Sequence, residues 1–181
     1  MRKAGEEYLA NYPAFTSIEG TAESTTLPNA SVDLVTAAQA AHWFDREKAL
    51  EEFQRILKPG GYLALIWNDR KKDAAAFDRE YEQLLENFGT DYEDVKRRDN
   101  ASMQFFGAIP HQTRTLRNFQ DFDYVSLEGR LLSSSYTPQA GHPSHGPMLV
   151  KLQGIFEHHQ KSGLVRMEYD TKLYFGRLST G

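Results

Sequence analysis

Two kinds of hydrophobic pattern alternate along the first part of this chain. Val32-Asp33-Leu34-Val35-Thr36-Ala37 is a compact β-branched run and predicts a buried strand. Ala49, Leu50, Phe53, Ile56 and Leu57 then recur at helical spacing, predicting a helix from Arg46 to Leu57 with Asp45 as its N-cap. Lys58-Pro59-Gly60-Gly61 ends that helix, with a lysine for the negative end of the helix dipole and then residues that cannot continue it. Tyr62-Leu63-Ala64-Leu65-Ile66-Trp67 follows as a continuously apolar strand, the kind covered on both faces in a parallel sheet. Strand, helix, glycine turn and strand together read as a right-handed βαβ unit. At the other end, Val165, Met167, Tyr169, Thr171, Leu173 and Phe175 alternate with Arg166, Glu168, Asp170, Lys172 and Tyr174. That period of two predicts a long antiparallel strand with one wet face.

The remaining elements are less sharply marked. Arg2 to Tyr12 reads as a helix ended by Pro13, and Phe15 to Ile18 as a short strand. Ser24 to Ser31 is loop, 73 to 88 a second amphipathic helix, and Thr90 to Asn100, with the acidic stretch Asp91–Asp94, a charged surface loop. Ala101 to Arg114 has no clear pattern. Phe119 to Val125 is a strand candidate, with Ser126 capping a helix to Ser133. Tyr136 to His145 is loop, and Pro147 to Gln160 an amphipathic helix stopped by Gly163.

Composition narrows the function classes. The 181 residues suit one domain, and none is cysteine, which excludes thiolate metal sites, disulfides and cysteine nucleophiles. With 21 basic against 25 acidic residues the net charge is −4, so no basic footprint for nucleic acid is present. No apolar run follows the basic start Met1-Arg2-Lys3, and none approaches the ~18 residues a membrane span needs. A soluble, cytoplasmic protein without membrane or nucleic-acid partners is expected.

The ordered set of motifs is more specific than any one of them. Val32 to Ala38 with Gln39-Ala40-Ala41-His42-Trp43-Phe44-Asp45, followed by Phe53-Gln54-Arg55-Ile56-Leu57-Lys58-Pro59-Gly60-Gly61-Tyr62-Leu63-Ala64, resembles the class I S-adenosylmethionine-dependent methyltransferases of the type 11 group. Gly20-Thr21-Ala22-Glu23 and Leu27-Pro28 resemble that group's Gly-x-Ala-Glu and Leu-Pro elements. Ser133-Ser134-Ser135-Tyr136-Thr137-Pro138 and Tyr169-Asp170-Thr171 are similar to a subset acting on small molecules. The resemblance implies an α/β, Rossmann-like class I methyltransferase sheet of order 3-2-1-4-5-7-6 with an antiparallel C-terminal strand. It implies S-adenosylmethionine as cofactor and a small-molecule acceptor as partner.

The family's glycine-rich loop after strand 1 and the acidic residue ending strand 2 have no counterpart in this sequence. Read this way, strands 1 and 2 are missing. Residues 1–181 then form a single, N-terminally truncated domain with a helical or loop insertion at about 70–116. The edge of the Val32–Ala37 strand is then expected to be unpaired, and an unpaired edge invites association, here as a homo-oligomer.

By resemblance, Thr21, Ala22 and Glu23 lie beside the cofactor's adenine, and Ala38 and Gln39 beside its methionine part. The alternatives are a solvated loop glutamate and an ordinary turn. Trp43, Asn68 and Tyr136 are substrate-side candidates, Asn68 with Asp69 at a strand end and Tyr136 in a lid. His42 is the candidate general base, against a packing role; Asp33 is structural. No metal site is expected from His142, His145, His158 and His159, because adjacent histidines point to different helix faces. Ser134 lacks the glycines of a nucleophile elbow. The leading reading is methyl transfer. The alternative is a non-catalytic fragment acting in interaction or dimerisation, and a Rossmann oxidoreductase, lacking its fingerprint, comes third.

Overall fold

The computed structural model describes residues 2–92 and 105–178. Its elements are α1 (Arg2–Tyr8), β1 (Val32–Ala38), α2 (Arg46–Ile56), β2 (Leu57–Arg70), α3 (Ala76–Phe88), β3 (Gln112–Phe122), α4 (Tyr124–Leu132), α5 (His145–His159) and β4 (Val165–Arg177). The strands form one sheet in the order β1-β2-β4-β3. β1 and β2 are parallel, joined by the α2 crossover, and the other pairs are antiparallel. In family numbering this is the 4-5-7-6 part of the expected sheet, a Rossmann-like mixed α/β arrangement.

The crossover is built by local chemistry. The Asp45 side chain accepts the Lys48 N–H at 3.4 Å and so caps α2. Ala49, Leu50, Phe53 and Ile56 bury one helix face against Leu63, Leu65 and Trp67 of β2. Gly60 has φ +80°, which lets the chain turn straight from the helix end into β2. At Gly61 a Cβ would stand 3.0 Å from the Lys58 carbonyl and 3.1 Å from that of Asp33, so only glycine allows the turn this close to β1.

A second core lies at the other end of the molecule. β2 makes its last pair with β4 at Arg70↔Tyr169, while β3 and β4 stay paired to Phe122↔Val165. This two-stranded ribbon carries Phe122, Val165, Met167 and Tyr169 into a cluster with Phe77, Tyr81, Leu84 and Leu85 of α3, Leu127 and Leu131 of α4, and Met148, Leu152 and Ile155 of α5. The helices therefore form a unit beyond the carboxyl end of β2.

Several expectations are corrected. Phe15–Ile18 is not a strand: it pairs with no neighbour, and a strand without a ladder leaves its backbone polar groups unpaired. α1 ends at Tyr8, not at Pro13. β1 is not buried on both faces. It is an edge strand, and Leu34 is 53% exposed. β3 starts at Gln112, seven residues before Phe119, held by pairing with β4 through a stretch whose side chains are exposed. The cap of α4 is Asp123, whose carboxylate accepts the Ser126 N–H at 2.8 Å. Most of the charged stretch after Thr90, and the first part of Ala101–Arg114, lie outside the described residues.

Candidate functional site at the carboxyl edge of the parallel pair

Open α/β sheets bind ligands beyond the carboxyl ends of their parallel strands. Here that edge is formed where β1 and β2 stop. Gln39, directly after β1, sits in the left-handed region at φ +50°, a conformation that non-glycine residues adopt at a cost. Two bonds hold it there: its N–H donates to the Ile66 carbonyl at 3.0 Å, and its Nε2 to the Asn68 carbonyl at 3.3 Å. The Asn68 Oδ1 accepts from the Thr171 hydroxyl at 2.6 Å, which in turn accepts from the Asn118 amide at 3.3 Å. Asp69 pairs with Lys172 at 2.6 Å. The structure thus brings Ala38, Gln39 and Asn68 together.

After Gln39 the chain makes a 3-10 turn at Ala41–Trp43. The His42 and Trp43 rings lie 4.9 Å apart, and Trp43 is 61% exposed. Packing does not bury this tryptophan.

Thr21 and Ser24 close a tight turn through reciprocal backbone bonds of 3.0 and 3.2 Å. Within it, one oxygen of Glu23 accepts the Asp45 N–H at 2.9 Å. That bond first, then its own backbone N–H and the Thr21 hydroxyl, hold the Glu23 carboxyl below its ordinary range. The turn is fastened a second time by Glu52. One oxygen accepts the Thr25 N–H at 2.7 Å and its hydroxyl at 2.6 Å, and both carboxylate oxygens accept from Arg55 at 2.8 and 2.7 Å. Thr21, Ala22 and Glu23 are therefore positioned by α2 and its N-cap residue.

Tyr136 stands apart from these groups, in the helical unit. Its ring lies 4.8 Å from that of Tyr92, and its carbonyl accepts the Thr90 N–H at 3.0 Å. Below it, at the end of β2, Arg70 pairs with Glu82 and lies 5.0 Å over the Tyr81 ring. Glu82 also accepts from the Tyr92 hydroxyl at 2.7 Å and from Lys72 at 2.8 Å. Burial, and then Glu82, push the Tyr92 hydroxyl far above its ordinary value. Sequence reasoning singled out neither this cluster nor Arg130 beside it. Arg130 donates to the Ser134 hydroxyl at 3.1 Å and to Tyr169.

His158 and His159 do not diverge as their adjacency suggested. At the helix end their rings are 4.6 Å apart, and Glu80 of α3 lies 3.1 Å from the His159 Nε2. One ligand atom from each of the three falls within 4.8 Å of the others.

Comparison with known proteins gives this geometry a class. Residues 1–65 match the family model described as a methyltransferase domain, of the type 11 group. An uncharacterized methyltransferase of Mycobacterium tuberculosis is 37% identical over 103 residues, 57% of this chain and 41% of that protein. One of Schizosaccharomyces pombe is 48% identical over 67 residues, 37% of this chain and 26% of that protein. An S-adenosyl-L-methionine-dependent Diels-Alderase of Talaromyces variabilis is 30% identical over 118 residues, 62% of this chain and 36% of that protein. In fold, the chain is similar to a proposed type II methyltransferase from Anaeromyxobacter dehalogenans, with a TM-score of 0.63 at 20% identity over 92% of this chain and 73% of that one. The architecture resembles that of Rossmann-like methyltransferase structures. Over residues 1–65 the chain is similar to the type 11 group, and it spans about 41% of the length of its mycobacterial relative. Among the described residues, no helix is long and apolar enough to cross a membrane.

Proposed function

We propose that the chain serves S-adenosylmethionine-dependent methyl transfer to a small-molecule acceptor in the cytoplasm. The observation that carries this reading is the Gln39 turn, strained and tied to Ile66 and Asn68 at the edge of a methyltransferase-like sheet. Strain of this kind gathers at functional sites. S-adenosylmethionine, when bound, supplies a sulfonium-linked methyl for in-line displacement by an oxygen, nitrogen or carbon nucleophile.

The residues present fit the two ends of that donor. The Glu23 carboxylate, held by the Asp45 N–H, its own N–H and the Thr21 hydroxyl, would accept from the exocyclic amine of adenine on a remaining lone pair, beside the small Ala22. Ala38 and Gln39 offer backbone to the methionine part. The ribose finds no acidic strand-end partner among the described residues. His42 is the general base for an acceptor that must lose a proton, with Trp43 and Asn68 lining the acceptor side. Tyr136, which stands apart in the helical unit, would reach the acceptor as part of a lid that excludes water.

Calorimetry of the full chain with S-adenosylmethionine and S-adenosylhomocysteine tests the reading. Micromolar binding that Glu23→Ala weakens supports it; no binding by the folded chain refutes it. A second reading rests on β1: an edge strand with Leu34 exposed, in a chain that also exposes Tyr8, Tyr12, Phe15 and Ile18, favours association between copies. Sedimentation decides it, since Leu34→Lys should then yield monomers.

A further inference from the structure

Arg130, largely buried in the helical unit, has no counter-charge among the described residues. It stands on α4, and its polar partners are the hydroxyl of Ser134 at 3.1 Å and that of Tyr169. Among the described residues no carboxylate pairs with it, whereas the neighbouring Arg70 is paired with Glu82. Its surroundings are aromatic: Tyr81 and Tyr169 are buried, and Tyr136 is half-buried above the same core. A largely buried guanidinium without an anion is costly, and an anionic ligand would complete the pair.

The nearby acids do not fill the gap. Glu82 is committed to Arg70, Lys72 and Tyr92. Asp78 is fully buried and gives one oxygen to the Ala75 N–H, and burial pushes its carboxyl upward, toward the neutral form. The local field is therefore positive. Its place is also informative. Tyr169 is the β4 partner of Arg70, the last residue of β2, and two residues along β4 is Thr171, which holds Asn68 at the candidate edge.

We propose that Arg130 receives a carboxylate of the acceptor, so that the acceptor is a small organic acid anchored between the helical unit and the sheet edge. The planar guanidinium takes a carboxylate in a two-point contact, and the hydroxyls of Tyr136 and Tyr81 supply donors to its free oxygen lone pairs, while that of Tyr169 is donated to the Met167 sulfur. Ser134 keeps the guanidinium oriented. This rests on the methyl-transfer reading and names its substrate class. The assignment is to binding, and the methyl-accepting atom lies elsewhere on the acid.

The test uses the full chain and defined probes: succinate, glutarate and benzoate, each against its neutral amide, by calorimetry. At least one acid is expected to bind tenfold or more tightly than its amide. Arg130→Gln should remove that preference, Arg130→Lys should retain part of it, and Arg114→Gln, at an exposed arginine, should leave it unchanged. Arg130→Leu separates anchoring from scaffolding. An anchor waiting for a ligand is dispensable to the empty fold, so this variant should melt at or above the wild-type temperature; a clear drop would make Arg130 structural. Acids and amides binding alike, no acid binding at all, or full preference in Arg130→Gln would each overturn the proposal. Should Arg130→Gln fail to fold, Tyr136→Phe carries the same test through a lost donor. Acid binding without S-adenosylhomocysteine binding would refute methyl transfer and keep the anchor. Donor binding, with methyl transfer to neutral acceptors unaffected by Arg130→Gln, would do the reverse.

Discussion

Glu52 joins a loop to a helix, and its removal has a calculable effect. Its carboxylate is nearly buried, with Arg55 about a third exposed beside it. The Arg55 guanidinium first, then the Thr25 hydroxyl and N–H, hold its carboxyl at about 2, against an ordinary 4.5. A lowered folded-state value means that the ion stabilises the fold. That stability is fully present above the unfolded value, near pH 4.5, and is lost as pH falls through about 2. The gap between 4.5 and about 2 corresponds to at most about 3.4 kcal/mol. Screening of the exposed side of Arg55 brings the expectation for Glu52→Gln to roughly 1.5–2.5 kcal/mol at pH 7. For a domain of this size that is a fall of roughly 3–10 °C in melting temperature. Urea titrations of wild type and variant at pH 7, 3 and 2 measure the difference at each pH. It should fall to less than half between pH 7 and pH 3 and nearly close by pH 2, with both proteins weakened by their other carboxylates. A difference below about 0.5 kcal/mol at pH 7, or one undiminished at pH 2, refutes the argument. The loop fastened by Glu52 carries Thr21, Ala22 and Glu23, so the variant should also weaken any S-adenosylmethionine binding while leaving acid binding at Arg130 unchanged.

Three further outcomes are expected. Gln39→Gly removes a left-handed side chain and should raise stability by up to about 1 kcal/mol in thermal melts, while donor affinity falls because the bond to Asn68 is lost. Gly176→Ala places a Cβ 2.6 Å from the Pro110 carbonyl and 3.1 Å from the His111 Cα, and should cost about 1–3 kcal/mol by urea denaturation, as backbone on both sides must shift. Leu152→Ala, in the centre of the helical unit, should cost about 2–5 kcal/mol and lower the protection of α3 and α5 amides in hydrogen exchange more than that of α2.

Where causes are local, the chain was legible. Asp45 before an amphipathic run, with Lys-Pro-Gly-Gly after it, marked α2 to within a residue, because cap and stop act within one turn. The alternation from Val165 to Phe175 marked β4 for the same reason. The pairing order was legible through the family resemblance, not through periodicity. What failed was non-local. Phe15–Ile18 has strand-like residues but no partner to pair with. Gln112–Arg117 has few apolar residues and becomes strand because β4 lies beside it. Of the candidate site, Gln39 and Asn68 were found as strand ends and do meet. Arg130 was invisible, since Tyr81, Tyr136 and Tyr169 approach it from three separate elements. Glu80 joins His158 and His159 only because α3 packs on α5.

The β3–β4 ribbon that runs past Arg70 has a mechanical consequence. β4 contributes Val165, Met167 and Tyr169 to the helical unit, while farther along Tyr174 packs against the core under α2. It is a shared spine between two blocks that otherwise bury different residues. Each block can open without exposing the other, so the molecule should come apart in two steps, not one. A bend in the spine near Thr171 would swing the helical block as a lever about the end of β2. The separation of Arg130 from Gln39 would then change without either side chain altering its own bonds.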